Sequence, residues 1–151
     1  MKNYTDIEQS RKLAEFLPSE SADMFIADLV NPKEQVHSYN FHVLITWGCK
    51  TFAKIKERES KHVKFIPCWS LATLFAILPN EIITDNRFEC HYQIHIRKYD
   101  GDDNTTFHQI AYGNNRGLSG SWHDMINTGE KESLVDCCVQ MILKLHELKF
   151  L

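Results

Sequence analysis

The residues whose types best suit chemistry stand together between positions 113 and 121, where three of the chain's six glycines fall. Glycines let backbone N–H groups approach an anion closely, and Arg116 offers a planar guanidinium that can donate two parallel hydrogen bonds to a phosphate or carboxylate. The stretch therefore predicts a loop, with several positive-φ positions, that binds a small anionic ligand. An exposed loop with a solvated arginine is the alternative interpretation.

The side chains around this loop complete the predicted site. A tryptophan offers a flat surface on which a base can stack. The loop matches neither the P-loop nor the dinucleotide-binding fingerprint, and no helix N-terminus follows where those motifs require one. The predicted ligand-binding residues are Arg116, Asn114, Asn115, Gly117, Trp122 and His123.

Histidines also raise the question of a metal centre. His91, Gln93 and His95 alternate onto one face of a predicted strand, and His108 can oppose them across a hairpin. Residues four apart on a strand are separated by about 13 Å, however, which is too far for two ligands of one zinc ion. We interpret the face as solvated and predict neither a metal nor a cofactor.

Nucleophilic catalysis has weak candidates. Cys68 precedes a predicted helix start, where a thiol pKa can be lowered, but it has no evident base. Ser21 and Asp23 can be drawn with a histidine as a triad, yet no G-x-S-x-G pattern exists. We predict no catalytic residue, and Trp69 beside the cysteine is expected to be a core residue. An enzyme therefore ranks behind a binding protein.

Length and composition limit the remaining classes. The 151 residues fit one domain, 1–151, and the net charge of −3 lacks the basic excess that nucleic-acid binding requires, so no DNA or RNA partner is expected. No apolar run suggests a signal peptide or a membrane span, which favours the cytoplasm. The five cysteines are odd in number and lack C-x-x-C spacing, which predicts reduced thiols. Self-association is compatible with these features.

The predicted site must be positioned by a β-hairpin that precedes it. Residues 87–97 alternate apolar and polar side chains, residues 100–104 favour a turn, and Thr105 to Tyr112 returns as the partner strand. A strand from Tyr39 to Trp47 is predicted to join the same sheet, and Met24 to Val30 is a weaker candidate strand. The charged segment 50–64 is expected to be a hairpin tip or a loop.

A short helix from Leu71 to Leu78 is bounded by its own residues. Pro67 closes an extended lead-in, Ser70 can cap the helix, and Pro79 ends it. Because the segment is apolar on every side, we expect a core helix covered by its neighbours.

Two further helices are predicted from capping boxes, Thr5 with Glu8 and Ser133 with Asp136. The C-terminal helix carries a long apolar stripe that should pack on the sheet. The predicted fold is therefore α+β: an antiparallel sheet covered by the short central helix and the amphipathic C-terminal helix. The stripe comprises Leu134, Val135, Cys138, Met141, Ile142, Leu145 and Leu148.

Several stretches resemble a known family. They are Glu8 to Pro18, Glu20 to Met24, Ile66 to Phe75, Val135 to Val139 and Lys144 to Leu148. In residue identity and order they are similar to a family of short, functionally unassigned proteins common in gut-bacterial genomes and their prophages. The chain departs from the family pattern in carrying Ser-Leu where Asn-Pro commonly opens the last helix. The resemblance implies a setting of phage conflict, in which small proteins block host defence by holding a protein or a signalling nucleotide.

Two function classes follow. The first is a non-enzymatic accessory protein that sequesters a small anionic ligand, such as a defence signalling nucleotide, at the predicted site. The second is an interaction protein or inhibitor that holds a macromolecule through segment 50–64 or a sheet edge. A small enzyme of unknown class ranks third.

Overall fold

The computed structural model describes residues 2–29, 43–46, 63–84, 90–101, 105–115 and 122–151. Within these ranges the strands form two antiparallel sheets, and the backbone contacts divide the chain into two compact units. One unit is Asn3–Thr73, and the other is Leu74–Leu151 with Met1–Lys2. The predicted α+β class, with antiparallel strands and a C-terminal helix, is confirmed. A single domain over 1–151 stays a prediction.

The N-terminal unit contains a helix, a short 3-10 turn and a three-stranded sheet in the order β2-β1-β3. Strand β1 is flanked on both sides, and its residues Phe25, Ile26 and Ala27 are all buried. The candidate strand at 24–30 is therefore confirmed. The elements are α1 (Ile7–Ala14), the turn Ser19–Ser21, β1 (Met24–Leu29), β2 (Val43–Thr46) and β3 (Val63–Cys68).

Two sequence expectations for this sheet need correction. The predicted strand Tyr39 to Trp47 is described only over Val43–Thr46, and this part pairs with β1 instead of joining the hairpin. A strand that is buried on both faces, as β1 is, needs partners along both edges, which local alternation does not reveal. Val63 and Lys64, predicted to lie in a hairpin tip or a loop, begin β3. The rest of segment 50–64 lies outside the described residues.

The N-cap residue of the first helix is Asp6, one position after the predicted cap, Thr5. Asp6 accepts a hydrogen bond from the Gln9 backbone at 2.9 Å, and Gln9 Oε1 accepts one from the Asp6 N–H at 3.2 Å. The predicted box of Thr5 with Glu8 is therefore wrong. Thr5 is fully buried, and its hydroxyl meets Ser10 Oγ at 2.7 Å and accepts the Trp69 N–H at 3.1 Å. Because the core uses this hydroxyl, the cap falls to Asp6.

The central helix, α2 (Leu71–Ile77), forms where it was predicted, and Ser70 Oγ accepts the Thr73 N–H at 3.3 Å. Its burial differs from the expectation, because Ala72 and Ala76 are exposed and only Leu74 within the helix is fully buried. Alanine tolerates water because its apolar area is small, so an all-apolar pattern did not require cover on every side.

The C-terminal unit contains a four-stranded antiparallel sheet in the order β4-β5-β6-β7. The predicted hairpin is confirmed over its described residues, with Ile94 opposite Tyr112 and Arg97 opposite Gln109. The expected strand at Trp122 is also present. The elements are β4 (Glu81–Thr84), β5 (Cys90–Asp100), β6 (Thr106–Asn115), β7 (Trp122–Asn127) and α3 (Leu134–Glu147).

Helix α3 packs against β6 through the predicted stripe, whose residues from Val135 to Leu145 are buried. Ser133 is the N-cap residue but makes no side-chain cap hydrogen bond, and its buried Oγ has no partner among the described residues. Asp136 contacts the ammonium of Lys2 at 2.8 Å. The predicted capping box is therefore wrong, because an ion pair takes the carboxylate.

The last turn of α3 closes with a Schellman motif. Phe150 N–H donates to Leu145 O at 2.8 Å and Lys149 N–H donates to His146 O at 3.0 Å. Lys149 occupies the left-handed position of this motif, with φ of 63°. No helix within the described ranges is long and apolar enough to span a bilayer.

Candidate functional site

Strand pairing defines a polar face on the C-terminal sheet. Directly opposed residues of antiparallel strands share a face, and the pairs Gln93 with Gly113, Gly113 with Asp124, and Asn115 with Trp122 are opposed. On the opposite face, Ile110 and Tyr112 are fully buried. The polar face comprises His91, Gln93, His95, Arg97, Gln109, Gly113, Asn115, Trp122 and Asp124.

Gly113 allows the Trp122 indole to lie against β6. A Cβ atom at position 113 would lie 2.5 Å from Trp122 Nε1 and 2.7 Å from Cε2, and it would also meet the His123 carbonyl oxygen. The predicted loop therefore starts too early, because β6 continues through Asn115 and Gly113 is a strand residue without a positive φ. This glycine is required by close packing rather than by loop geometry.

The indole is held by a hydrogen-bonded chain across three strands. Trp122 Nε1 donates to Asp124 Oδ1 at 2.7 Å. Arg97 clamps the same carboxylate with Nη2 at 2.6 Å from Oδ1 and Nη1 at 2.9 Å from Oδ2. Gln109 Oε1 then accepts from Arg97 Nη1 at 3.0 Å and from Tyr99 Oη at 3.1 Å. The chain ties the indole to β5 and β6.

Electrostatics strengthen this chain. The hydrogen bond to Asp124 raises the pKa of the Arg97 guanidinium. Burial opposes ionisation of Asp124, but the hydrogen bonds from Arg97 and Trp122 outweigh it and lower the pKa of the carboxyl group. Both side chains are therefore charged at neutral pH, and a bidentate pair of this kind is geometrically specific.

Two histidines of the polar face have defined partners. The His95 ring stands at 71° to the Trp122 indole with centroids 4.9 Å apart, and His91 Nδ1 lies 3.0 Å from Glu81 Oε1. His108 pairs with Lys98 on the opposite face, so it does not oppose His91 and His95 across the hairpin. No cluster of three or more candidate metal ligands occurs within the described ranges.

Two cavities meet at Asn114. One, of about 240 Å³, is lined by His91, Gln93, Gly113, Asn114, Asn115 and Trp122. The other, of about 380 Å³, is lined by Tyr92, Asn114, His123, Asp124 and Met125. Asn114 Nδ2 donates to the His91 carbonyl at 3.3 Å, while its buried Oδ1 has no hydrogen-bond partner in the described part of the chain.

Four predicted site residues line these cavities as two opposed pairs: Asn115 with Trp122 on the polar face, and Asn114 with His123 on the other face, with Asn114 lining both cavities. Arg116 and Gly117 lie outside the described residues and stay predictions. Sequence reasoning missed Arg97 and Asp124 as part of this site. The strand alternation put Arg97 on the correct face, but no local signal links it to Asp124, 27 residues later.

The candidate nucleophiles of the N-terminal unit have structural partners. Burial raises the pKa of the Cys68 thiol, which is opposite to the activation that a nucleophile needs. Ser21 Oγ accepts the Trp69 Nε1–H at 3.0 Å, and Asp23 Oδ1 accepts the Ser70 N–H at 2.8 Å. Trp69 is fully buried, which confirms its expected place in the core.

Comparison of the chain with protein-family models, with curated proteins and with solved structures gives no match. The resemblance to the gut-bacterial and prophage family stays a prediction, and function must be argued from the geometry of the site.

Proposed function

We propose that the protein binds a small anionic ligand of the nucleotide class at the ends of β6 and β7 and releases it chemically unchanged. The strongest support is Trp122, whose indole lines the smaller cavity and packs against Gly113. A fixed aromatic ring beside side-chain amides suits a nucleobase. The ring can stack on the base while amides exchange hydrogen bonds with its edge.

Polarity agrees with a small polar ligand. The cavity that Trp122 lines measures about 240 Å³, slightly below the range of roughly 300–1,000 Å³ that is usual for small-molecule sites, and the cavity of about 380 Å³ that shares Asn114 with it lies within that range. The amides of Gln93, Asn114 and Asn115 line the smaller cavity. An amide both donates and accepts hydrogen bonds, so this lining can match the mixed edges of a base or a ribose.

The charge of the described lining residues does not oppose an anion. Asp124 is the acidic residue among them, and Arg97 neutralises it through two hydrogen bonds. Arg116, predicted from the sequence, would supply a phosphate-binding guanidinium.

Binding without turnover is supported by the state of the thiols. Burial raises the pKa of Cys68, and it raises that of Cys138 to about 12, so neither is an activated nucleophile. The family resemblance adds a setting of phage conflict. We therefore propose sequestration of a signalling nucleotide, an anti-defence role, as the biological function.

The test is a thermal-shift panel of cyclic and ADP-ribose-derived nucleotides, followed by recovery of the ligand after denaturation. A ligand at about 100 times its Kd stabilises the folded state by about 2.7 kcal/mol. We expect at least one intact nucleotide to raise Tm, and we expect Trp122→Ala and Arg116→Ala to abolish the shift. Lys98→Ala, on the opposite face of β5, is the matched control and should retain it. Turnover of a nucleotide would indicate an enzyme, and no shift across the panel would overturn the proposal.

A second candidate is a protein-binding module that uses a sheet edge. Among the described strands, β4 pairs only with β5, and its Ile83 is 54% exposed. An unpaired edge can accept an extended peptide as an additional strand. Ile83→Lys should weaken capture of such a partner and leave nucleotide shifts unchanged, so the two functions can be separated.

A further inference from the structure

We infer that Asp124 and Arg97 are positioning residues that hold the Trp122 indole with its π face toward the ligand. The site would then select for a flat heterocycle rather than for a phosphate or a sugar phosphate. This inference rests on the proposed function and specifies its ligand as one that carries a nucleobase.

The hydrogen-bonding capacity of the indole is already used within the protein. Indole has one donor and no acceptor, and Nε1 donates to Asp124 Oδ1 at 2.7 Å. A ligand beside Trp122 therefore meets a ring without an available hydrogen bond. Stacking and cation–π contact are the interactions that such a ring offers, and a sugar phosphate without a base gains little from stacking.

The orientation of the ring is set from several directions. Asp124 is itself held by two hydrogen bonds from Arg97, the shorter of 2.6 Å. The Gly113 backbone bounds the ring on one side, and His95 meets it nearly edge-on at 71°. A ring fixed in this way loses little rotamer freedom when a base stacks on it, which favours binding.

The Arg97 charge is not available to the ligand. Its guanidinium makes two hydrogen bonds to Asp124 and one to Gln109, and the side chains of the ion pair are only partly exposed, at 25% and 19%. Arg97 therefore differs in role from Arg116, which we proposed as a phosphate ligand. Loss of Arg97 and Asp124 together, which leaves the net charge unchanged, should alter the selection of the base while the affinity for phosphate stays the same.

The experiment measures Kd for AMP, GMP, CMP, UMP and ribose 5-phosphate by calorimetry. Base stacking on an aromatic side chain is worth about 5- to 100-fold in affinity. We therefore expect the best nucleotide to bind wild type about 5- to 100-fold more tightly than ribose 5-phosphate does. Asp124→Ala and Arg97→Gln should each reduce this ratio toward 1. The double variant, which removes one charge of each sign, should do so while the Kd of ribose 5-phosphate changes less than about twofold.

A double-substitution series separates positioning from simple loss of structure. Trp122→Phe keeps an aromatic face without the N–H group, so Asp124→Ala should have little further effect on the ratio in that background. Equal weakening of nucleotides and ribose 5-phosphate by Asp124→Ala would overturn the inference, because the effect would be structural. Equal affinity of wild type for nucleotides and ribose 5-phosphate would also overturn it and leave anion binding intact. If none of the five compounds bound at millimolar concentration, the inference would be overturned, and the proposed function would fail with it only if the cyclic and ADP-ribose-derived nucleotides also gave no thermal shift.

Discussion

Replacing Gly113 by alanine tests whether the indole of Trp122 packs on β6. The new Cβ would lie 2.5 Å from Trp122 Nε1, closer than the 3.0 Å below which real Cβ contacts essentially never occur. Because the Cβ atom would also meet the His123 carbonyl oxygen, β7 must shift, at the cost of about 1–3 kcal/mol for overpacking. If the indole leaves Asp124 as well, the protein gives up a hydrogen bond to a charged group, worth about 1.5–3 kcal/mol.

Alanine also offsets part of this loss. It lowers the conformational entropy of the unfolded chain relative to glycine, which stabilises the folded state by about 0.4–1 kcal/mol. The expected net destabilisation is about 1–2 kcal/mol, which corresponds to a fall in Tm of about 2–8 °C for a chain of this length. Urea unfolding followed by circular dichroism measures the free energy directly, and the ordered indole should lose its near-ultraviolet signal.

Trp122→Ala and Gly129→Ala are the controls for this prediction. Gly129 has φ of +66°, and a Cβ atom at this position would meet no described atom within 4 Å, so alanine there costs stability through backbone strain alone. In a Trp122→Ala background, the cost of Gly113→Ala should fall by at least about 0.5 kcal/mol, whereas the cost of Gly129→Ala should stay the same. A Gly113→Ala cost that is zero, or identical in both backgrounds, would refute the packing described for this site.

Three further predictions concern stability. Trp69→Ala and Leu145→Ala should cost about 3–5 and 2–5 kcal/mol in urea unfolding, because both side chains are fully buried; an unchanged midpoint for either would remove it from the core. Lys149→Gly should stabilise the protein by about 0.5–1 kcal/mol in thermal unfolding, since glycine occupies the left-handed Schellman position without strain but has more freedom in the unfolded chain; a fall in Tm would contradict this. The lowered pKa of Asp124 means that its carboxylate stabilises the fold above the ordinary value of 3.8 and that this contribution disappears as pH falls through the folded-state pKa. The stability difference between wild type and Asp124→Asn should therefore shrink from about pH 6 to about pH 3, and an equal difference at both pH values would exclude this linkage.

Local physics explains which features could be predicted from the sequence. The prolines and Ser70 bounded α2 because ring geometry and capping act within a few residues. The alternation in residues 90–97 has the 2.0-residue period of a strand, and the apolar stripe of α3 has the 3.6-residue period of a helix, so both elements could be identified from the sequence. The closeness of Asn114 to His123 and of Asn115 to Trp122 also follows from the sequence, because the four residues flank one short segment between paired strands.

Tertiary structure decided the features that depend on distant partners. Strand β2 pairs with β1 because a doubly buried strand needs neighbours, and alternation alone does not name them. Asp6 caps α1 instead of Thr5 because the Thr5 hydroxyl accepts a hydrogen bond from the Trp69 N–H, 64 residues away. Gly113 resembles a loop glycine until Trp122 is seen to pack on it. Arg97 and Asp124, which form two hydrogen bonds, are 27 positions apart in the sequence. The register of the strands, which depends on long-range pairing, brings them within hydrogen-bonding distance.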